Sequence, residues 1–172
     1  MKEFNKELTR ENIFLLLYYS GLTDEQFSNI LSISLRWLRY IKSGKYDFKI
    51  EEIERAAKFF NRSFNSITSK SLTIPKNLRS LLIDIHKNNT EYLTPLLANP
   101  TIPYAIEFQL LEAPEFKNDA LEVKQISKIF EKAGWKFKSS SISNALKQMS
   151  NLIVSEPHPT KGGTNVYSRK NK

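Results

Sequence analysis

The chain has 172 residues, 40% of them hydrophobic and 12% aromatic, with 26 Lys/Arg against 18 Asp/Glu for a formal net charge of +8. The absence of cysteine excludes disulfides, thiolate zinc sites and cysteine nucleophiles, and two histidines, His86 and His158, are too few for a histidine-rich metal centre. The longest apolar run, Ile13 to Tyr19, falls far short of a membrane span, and no small-residue cleavage site follows it, so a soluble cytoplasmic protein is expected.

In chain order, Thr9 is expected to cap a first helix through Ser20, with Gly21 as its left-handed terminator. Thr23-Asp24-Glu25-Gln26 is a T-x-x-Q capping box opening a second helix that reaches about Leu31. Ser32-Ile33-Ser34 reads as a short turn, and Ser34 caps a third helix ending before Gly44. After a loop over 45–49, Ile50, Ile53, Ala57 and Phe60 mark the inner stripe of a fourth helix. Ser63 caps a short fifth, with Phe64 and Ile67 inward. Leu78, Leu81, Leu82 and Ile85 predict an amphipathic helix over 76–87, and Pro95, Pro100 and Pro103 make 98–103 a linker or boundary. Residues 104–113 read as helical. Val123, Ile126, Ile129 and Phe130 give a helix from Glu122 to Lys132, ended by Gly134, and Trp135-Lys136-Phe137 a short extended piece. Ser139, Ser140 and Ser141 offer caps for a helix through Ser150; Leu152–Ser155 and Val166–Ser168 read as strands around a turn-rich loop over 157–165.

The charge is uneven. Residues 1–70 carry a net +3, 71–116 a net −2 and 117–172 a net +7. Two basic ends flanking a slightly acidic middle point to surfaces for a polyanion. The strongest local signal is Leu22 to Gly44, two short helices joined by a tight turn, the second carrying Arg36 and Arg39. With Leu38 and Ile41 spaced to pack inward, Leu35, Arg36, Arg39 and Tyr40 are left outside with Trp37 at the edge. Such a pair lays its second helix across the major groove.

On these residues, segment 9–70 resembles a repressor/Cro-type (XRE-family) helix-turn-helix domain of five helices. The features shared are Leu22, the Thr23 cap, Phe27, Leu31, Ile33-Ser34, Leu38, Ile41 and Gly44, continuing through Ile50, Ile53, Ala56 and Phe60. The resemblance implies that Leu35, Arg36 and Trp37 read bases, followed by Arg39 and Tyr40, while Lys42, Ser43 and Lys45 touch phosphates. Three positions depart from the pattern. Asp24 is anionic where a phosphate contact is usual, Ser28 replaces a small Ala, and Ser32 replaces a turn Gly and must tolerate or avoid positive φ.

Residues 104–170 resemble a winged-helix domain, with Ser139–Ser150 as recognition helix and His158–Tyr167 as wing. The resemblance implies that Ser140, Ser141, Ser143, Asn144 and Lys147 face the groove. It also implies that Lys161, Gly162, Gly163 and Thr164 approach the backbone or minor groove, the glycines allowing close approach and the lysine supplying charge. Such domains also serve as protein-interaction modules.

The other candidates are weaker. His86 and His158 lie far apart in sequence without a ligand-spaced partner, Glu51 and Glu52 suit a helix first turn, and Lys161-Gly162-Gly163-Thr164 lacks the spacing of a phosphate loop. No nucleophile, base and orienter assemble, so no enzyme, metal or cofactor is expected. The expected fold is mainly α: a helix-turn-helix domain over 1–70, a helical connector over 71–103 that is a candidate dimerisation segment, and a winged-helix-like domain with a small β-hairpin over 104–172. The expected function is sequence-specific binding of double-stranded DNA by a transcriptional regulator, with a homodimer formed through Leu78, Leu81, Leu82, Ile85, Leu93, Leu96 and Leu97. The alternatives are a DNA-binding replication or recombination accessory protein, and a protein-interaction adaptor using Trp37 and Tyr40.

Overall fold

The computed structural model describes residues 4–170. It is mainly helical with one three-stranded antiparallel sheet, and it divides into two units between Ala98 and Asn99.

The first unit contains α1 (Lys6–Ser20), α2 (Asp24–Ile30), α3 (Leu35–Lys42), α4 (Ile50–Phe59), α5 (Phe64–Ser69), α6 (Leu78–Ile85) and α7 (Thr90–Leu97). All of these helices but α4 and α6 begin where a short polar side chain satisfies a free first-turn amide. The Thr23–Gln26 box closes in both directions, at 3.1 and 2.9 Å. Ser34 and Ser63 accept from the amides of Trp37 and Ser66, each at 3.1 Å. Thr9 is not the cap of α1. Asn5 takes that role, accepting from the Leu8 amide at 3.0 Å, and the buried Thr9 hydroxyl donates back to the Asn5 carbonyl at 2.7 Å. Gly21 ends α1 in the left-handed region at φ 68°, as the residue type requires.

The core of this unit is one cluster. It takes Ile13 and Leu16 from α1, Phe27 from α2, Leu38 and Ile41 from α3, and Ile53 and Phe59 from α4. The segment expected as a connector is divided instead. Leu78, Leu82, Tyr92 and Leu96 of α6 and α7 are buried in the same cluster. The buried Arg79 guanidinium donates to the carbonyls of Ser20 at 2.6 Å and Ala98 at 2.7 Å, the C-terminal ends of α1 and α7. A cation at two helix C-termini satisfies carbonyls that have no partner within their helices. His86 joins the core stacked on Phe59 at 5.3 Å, its Nε2 2.7 Å from the Phe59 carbonyl. Three of the seven residues of the apolar stripe expected to pair two copies, Leu78, Leu82 and Leu96, are therefore spent inside the unit; Leu93 is half-buried, and Leu81, Ile85 and Leu97 remain exposed.

The second unit contains α8 (Ile102–Ala105), which widens into one π-helical stretch (Ile106–Leu110), then α9 (Pro114–Asn118), β1 (Leu121–Glu122), α10 (Val123–Lys132), α11 (Ser139–Gln148), β2 (Ile153–Pro157) and β3 (Asn165–Arg169). The expected hairpin has a third strand. β3 lies between β1 and β2, antiparallel to both, with Tyr167 opposite Leu121 on one side and Ser155 on the other. The sheet and helices enclose a separate cluster built on Ile106, Phe116, Ile126, Phe130, Ile142, Leu146 and Tyr167. Ser139, Ser140 and Ser141 are not caps but form the first turn of α11. Lys138 precedes it without a side-chain bond.

Candidate nucleic-acid interface

The turn between α2 and α3 is closed by backbone bonds from Ser32 to Asn29 and from Ile33 to Ser28, each 3.0 Å. Ser32 adopts positive φ, at 54°, a conformation that costs a non-glycine residue about 1 kcal/mol. The capping bonds of Thr23 and Ser34 on either side hold the chain there. Leu38 and Ile41 are fully buried, which fixes the rotation of α3 and turns Arg36 and Arg39 to solvent.

The outer residues of α3 differ in how free they are. The Arg39 side chain is exposed, and its guanidinium makes no hydrogen bond or ion pair among the described residues. The Arg36 Nε donates to the Tyr40 hydroxyl at 2.9 Å, and its guanidinium carbon lies 5.4 Å from that ring centre. Leu35 and Tyr40 are half-buried. Trp37 is not at liberty to read bases through its indole N–H, which donates to the buried Glu52 carboxylate at 2.8 Å. Among the residues expected at phosphates, Lys42 is ion-paired with Asp24 at 2.8 Å. The anion expected to repel phosphate thus occupies a nearby base. The Ser43 hydroxyl donates to the Tyr40 carbonyl at 3.0 Å, and the Lys45 ammonium lies 4.7 Å from the Tyr40 ring centre.

In the second unit, Ser140, Asn144 and Lys147 lie exposed along α11, and Ser141 is half-buried. Ser143 is engaged, its hydroxyl 2.9 Å from that of the buried Tyr167. The β2–β3 loop is latched. The His158 Nδ1 accepts from the amides of Thr160 and Lys161, each at 3.1 Å. Its Nε2 faces Glu122 Oε1 at 3.2 Å, and the Lys161 ammonium donates to the same oxygen. Gly163 occupies the left-handed region at φ 72°, which a side chain would strain. Gly162 is exposed, and half-buried Thr164 accepts from the His158 amide at 2.8 Å. Lys161 therefore already has a counter-charge. The hydrogen bond from Lys161 holds the Glu122 carboxyl below the ordinary carboxylate range; desolvation opposes this, and the charges of Lys161, His158 and Lys124 add to it.

Three participants carried no local signal in the sequence: Tyr46, Lys49 and Glu122. Tyr46 and Lys49 lie in the loop after α3, the first ring 4.9 Å from Trp37 and the second ammonium 5.6 Å from it. Among the described residues, no three of His, Asp and Glu gather as metal ligands, and no helix is long and apolar enough to cross a membrane.

No protein-family model matches the chain, and comparisons with curated proteins and with solved structures gave no significant match.

Proposed function

We propose that this protein binds double-stranded DNA in a sequence-specific manner, as a transcriptional regulator. The observation that carries the reading is the α2–α3 pair. Its tight turn, its buried Leu38 and Ile41, and the opposite placement of Arg36 and Arg39 make a helix that fits a major groove with bidentate guanine readers outward. The second unit adds support. A helix, a short strand, two helices and a hairpin, with sheet order β1-β3-β2, is compatible with the winged helix we propose here, in which α11 with Asn144 and Lys147 would be a second reading element. Pairing of two copies through the exposed Leu81, Ile85 and Leu97 belongs to the same proposal.

In-vitro selection on random duplexes is expected to enrich one motif. On that motif, Arg36→Ala and Arg39→Ala should each cost about 1–3 kcal/mol and relax base choice, whereas Lys45→Ala should weaken all sequences about equally. Absence of any enriched motif, with both arginine variants binding as the parent does, would sink the reading.

A further inference from the structure

The loop after α3 carries aromatic rings and cations of which duplex reading uses Lys45 alone. Tyr46 is 44% exposed. Its ring lies 4.9 Å from Trp37 at 32° and 5.9 Å from Tyr40 at 58°. Lys45 sits 4.7 Å from the Tyr40 ring centre and 5.8 Å from that of Tyr46; Lys49 sits 5.6 Å from that of Trp37.

The loop is fixed from both sides. Gly44 at φ 78° lets the chain reverse at the end of α3, and the amides of Lys45 and Tyr46 return to the Tyr40 carbonyl at 3.0 and 3.4 Å. Beyond Tyr46, Asp47 pairs with Arg10 at 3.2 Å and Lys6 at 3.6 Å, and buried Phe48 packs on Phe14 at 5.7 Å. These neighbours also occupy the carboxylates. Asp47 faces Arg10 and Lys6, and Glu52 accepts from Trp37 and from the Lys49 amide at 2.9 Å. Asp47 and Glu52 are thus engaged, beside the exposed ring of Tyr46 and the ammonium groups of Lys45 and Lys49.

We infer that this surface binds unpaired nucleotides, stacking a base on Tyr46 while Lys45 and Lys49 take the adjacent phosphates. The inference goes beyond duplex recognition; it shares Lys45 with it, and Tyr46 and Lys49 belong to the inference alone. A lysine ammonium over a ring is a weak, exposed contact on a flexible stem. It can swing from the ring to a phosphate and give up the ring face to a base. Each stacked base then replaces a weak contact with a stronger one, and each lysine gains a full counter-charge. A duplex keeps its bases stacked on one another and has no free base face to offer. A polyanion lacking planar groups has none either.

The test uses the full chain in a Trp135→Phe background, which leaves Trp37 as the sole tryptophan of the two and a reporter beside Tyr46. An oligothymidylate of about 12 nucleotides, within the usual range of site sizes, is titrated alongside a blunt duplex and poly-glutamate of equal charge. The single strand is expected to quench Trp37. Tyr46→Ala should weaken single-strand binding roughly ten-fold, the size of one base–aromatic stack, while Tyr46→Phe retains it and duplex affinity stays put. Equal single-strand affinity in Tyr46→Ala and the parent would overturn the inference, as would equal quenching by poly-glutamate. Failure of duplex reading would instead show in Arg36→Ala on the duplex, so the two failures are distinct.

Discussion

Glu52 is a carboxylate only 4% exposed, and three partners account for its burial. It sits in the first turn of α4, where the helix dipole favours an anion. One oxygen accepts the Lys49 amide at 2.9 Å and the other the Trp37 indole at 2.8 Å. A buried carboxylate that loses one donor bears the desolvation of an unpaired oxygen, which is dearer than the net worth of the bond. Trp37→Phe keeps an aromatic ring against Tyr46 and removes only the donor and part of the indole. It is expected to lower stability by about 1–3 kcal/mol in urea unfolding, and a loss below about 0.5 kcal/mol would mean that the bond does not form in solution. The sequence permits a first-turn carboxylate at Glu52 and an edge aromatic at Trp37. Their contact depends on how the start of α4 packs beside α3, which no local pattern encodes. The same holds for Arg79, whose two carbonyl acceptors lie at distant helix ends, and for Asp24, read as a liability for phosphate and found pairing Lys42.

Elements whose limits are written within three or four residues were legible: the Thr23–Gln26 box, the Ser34 and Ser63 caps, and Gly21, Gly44 and Gly134, all at positive φ. Those without period or cap were not. α9 is five residues long, β1 is two, and the π-helical stretch breaks the 3.6-residue spacing of 104–113. The β2–β3 loop shows both sides. Its glycines and lysine mark a hairpin turn, but the latch on it comes from Glu122, 39 residues before Lys161. Because the Glu122 carboxyl is held below its ordinary value by Lys161, the latch is fully present above the ordinary carboxylate range and is lost as pH falls through the depressed value. Its release is thus expected below pH 4.5, the usual value. Glu122→Gln should release it at neutral pH, speeding hydrogen exchange at the Thr160 and Lys161 amides. Freed of its counter-charge, Lys161 should then tighten duplex binding and steepen the log–log salt slope by about one unit, with the fold changed by no more than about 0.5 kcal/mol. Faster exchange with unchanged DNA binding would place the loop away from DNA.

The two units have disjoint hydrophobic clusters and share the charge evenly. Divided between Ala98 and Asn99, residues 1–98 and 99–172 each carry a net +4, although the net +7 of residues 117–172 suggests a concentration at the C-terminal end; the acidic residues of 99–116 belong to the same unit and offset it. Moving α6 and α7 into the first unit gives that unit its complete core, because Arg79, Tyr92 and Leu96 go with it. Each segment therefore holds its own apolar interior and should fold alone. On the proposed DNA-binding function each unit would hold DNA weakly through its own positive charge, and joining them in one chain would raise the effective concentration of the second at the first. Duplex affinity of the full chain is expected to fall with salt at a log–log slope on the order of −4 to −7, the signature of some five to eight phosphate contacts. Fragments 1–98 and 99–172 should give shallower slopes that add to that of the whole, because counterion release is additive over contacts. The full chain should bind roughly 10²-fold or more tighter than either fragment. Circular dichroism checks that the fragments fold, and titrations at several salt concentrations give the three slopes. A folded fragment with a flat slope, beside a full chain whose slope and affinity equal those of the other fragment, would assign the whole DNA contact to one unit and leave the remaining unit free for a different partner.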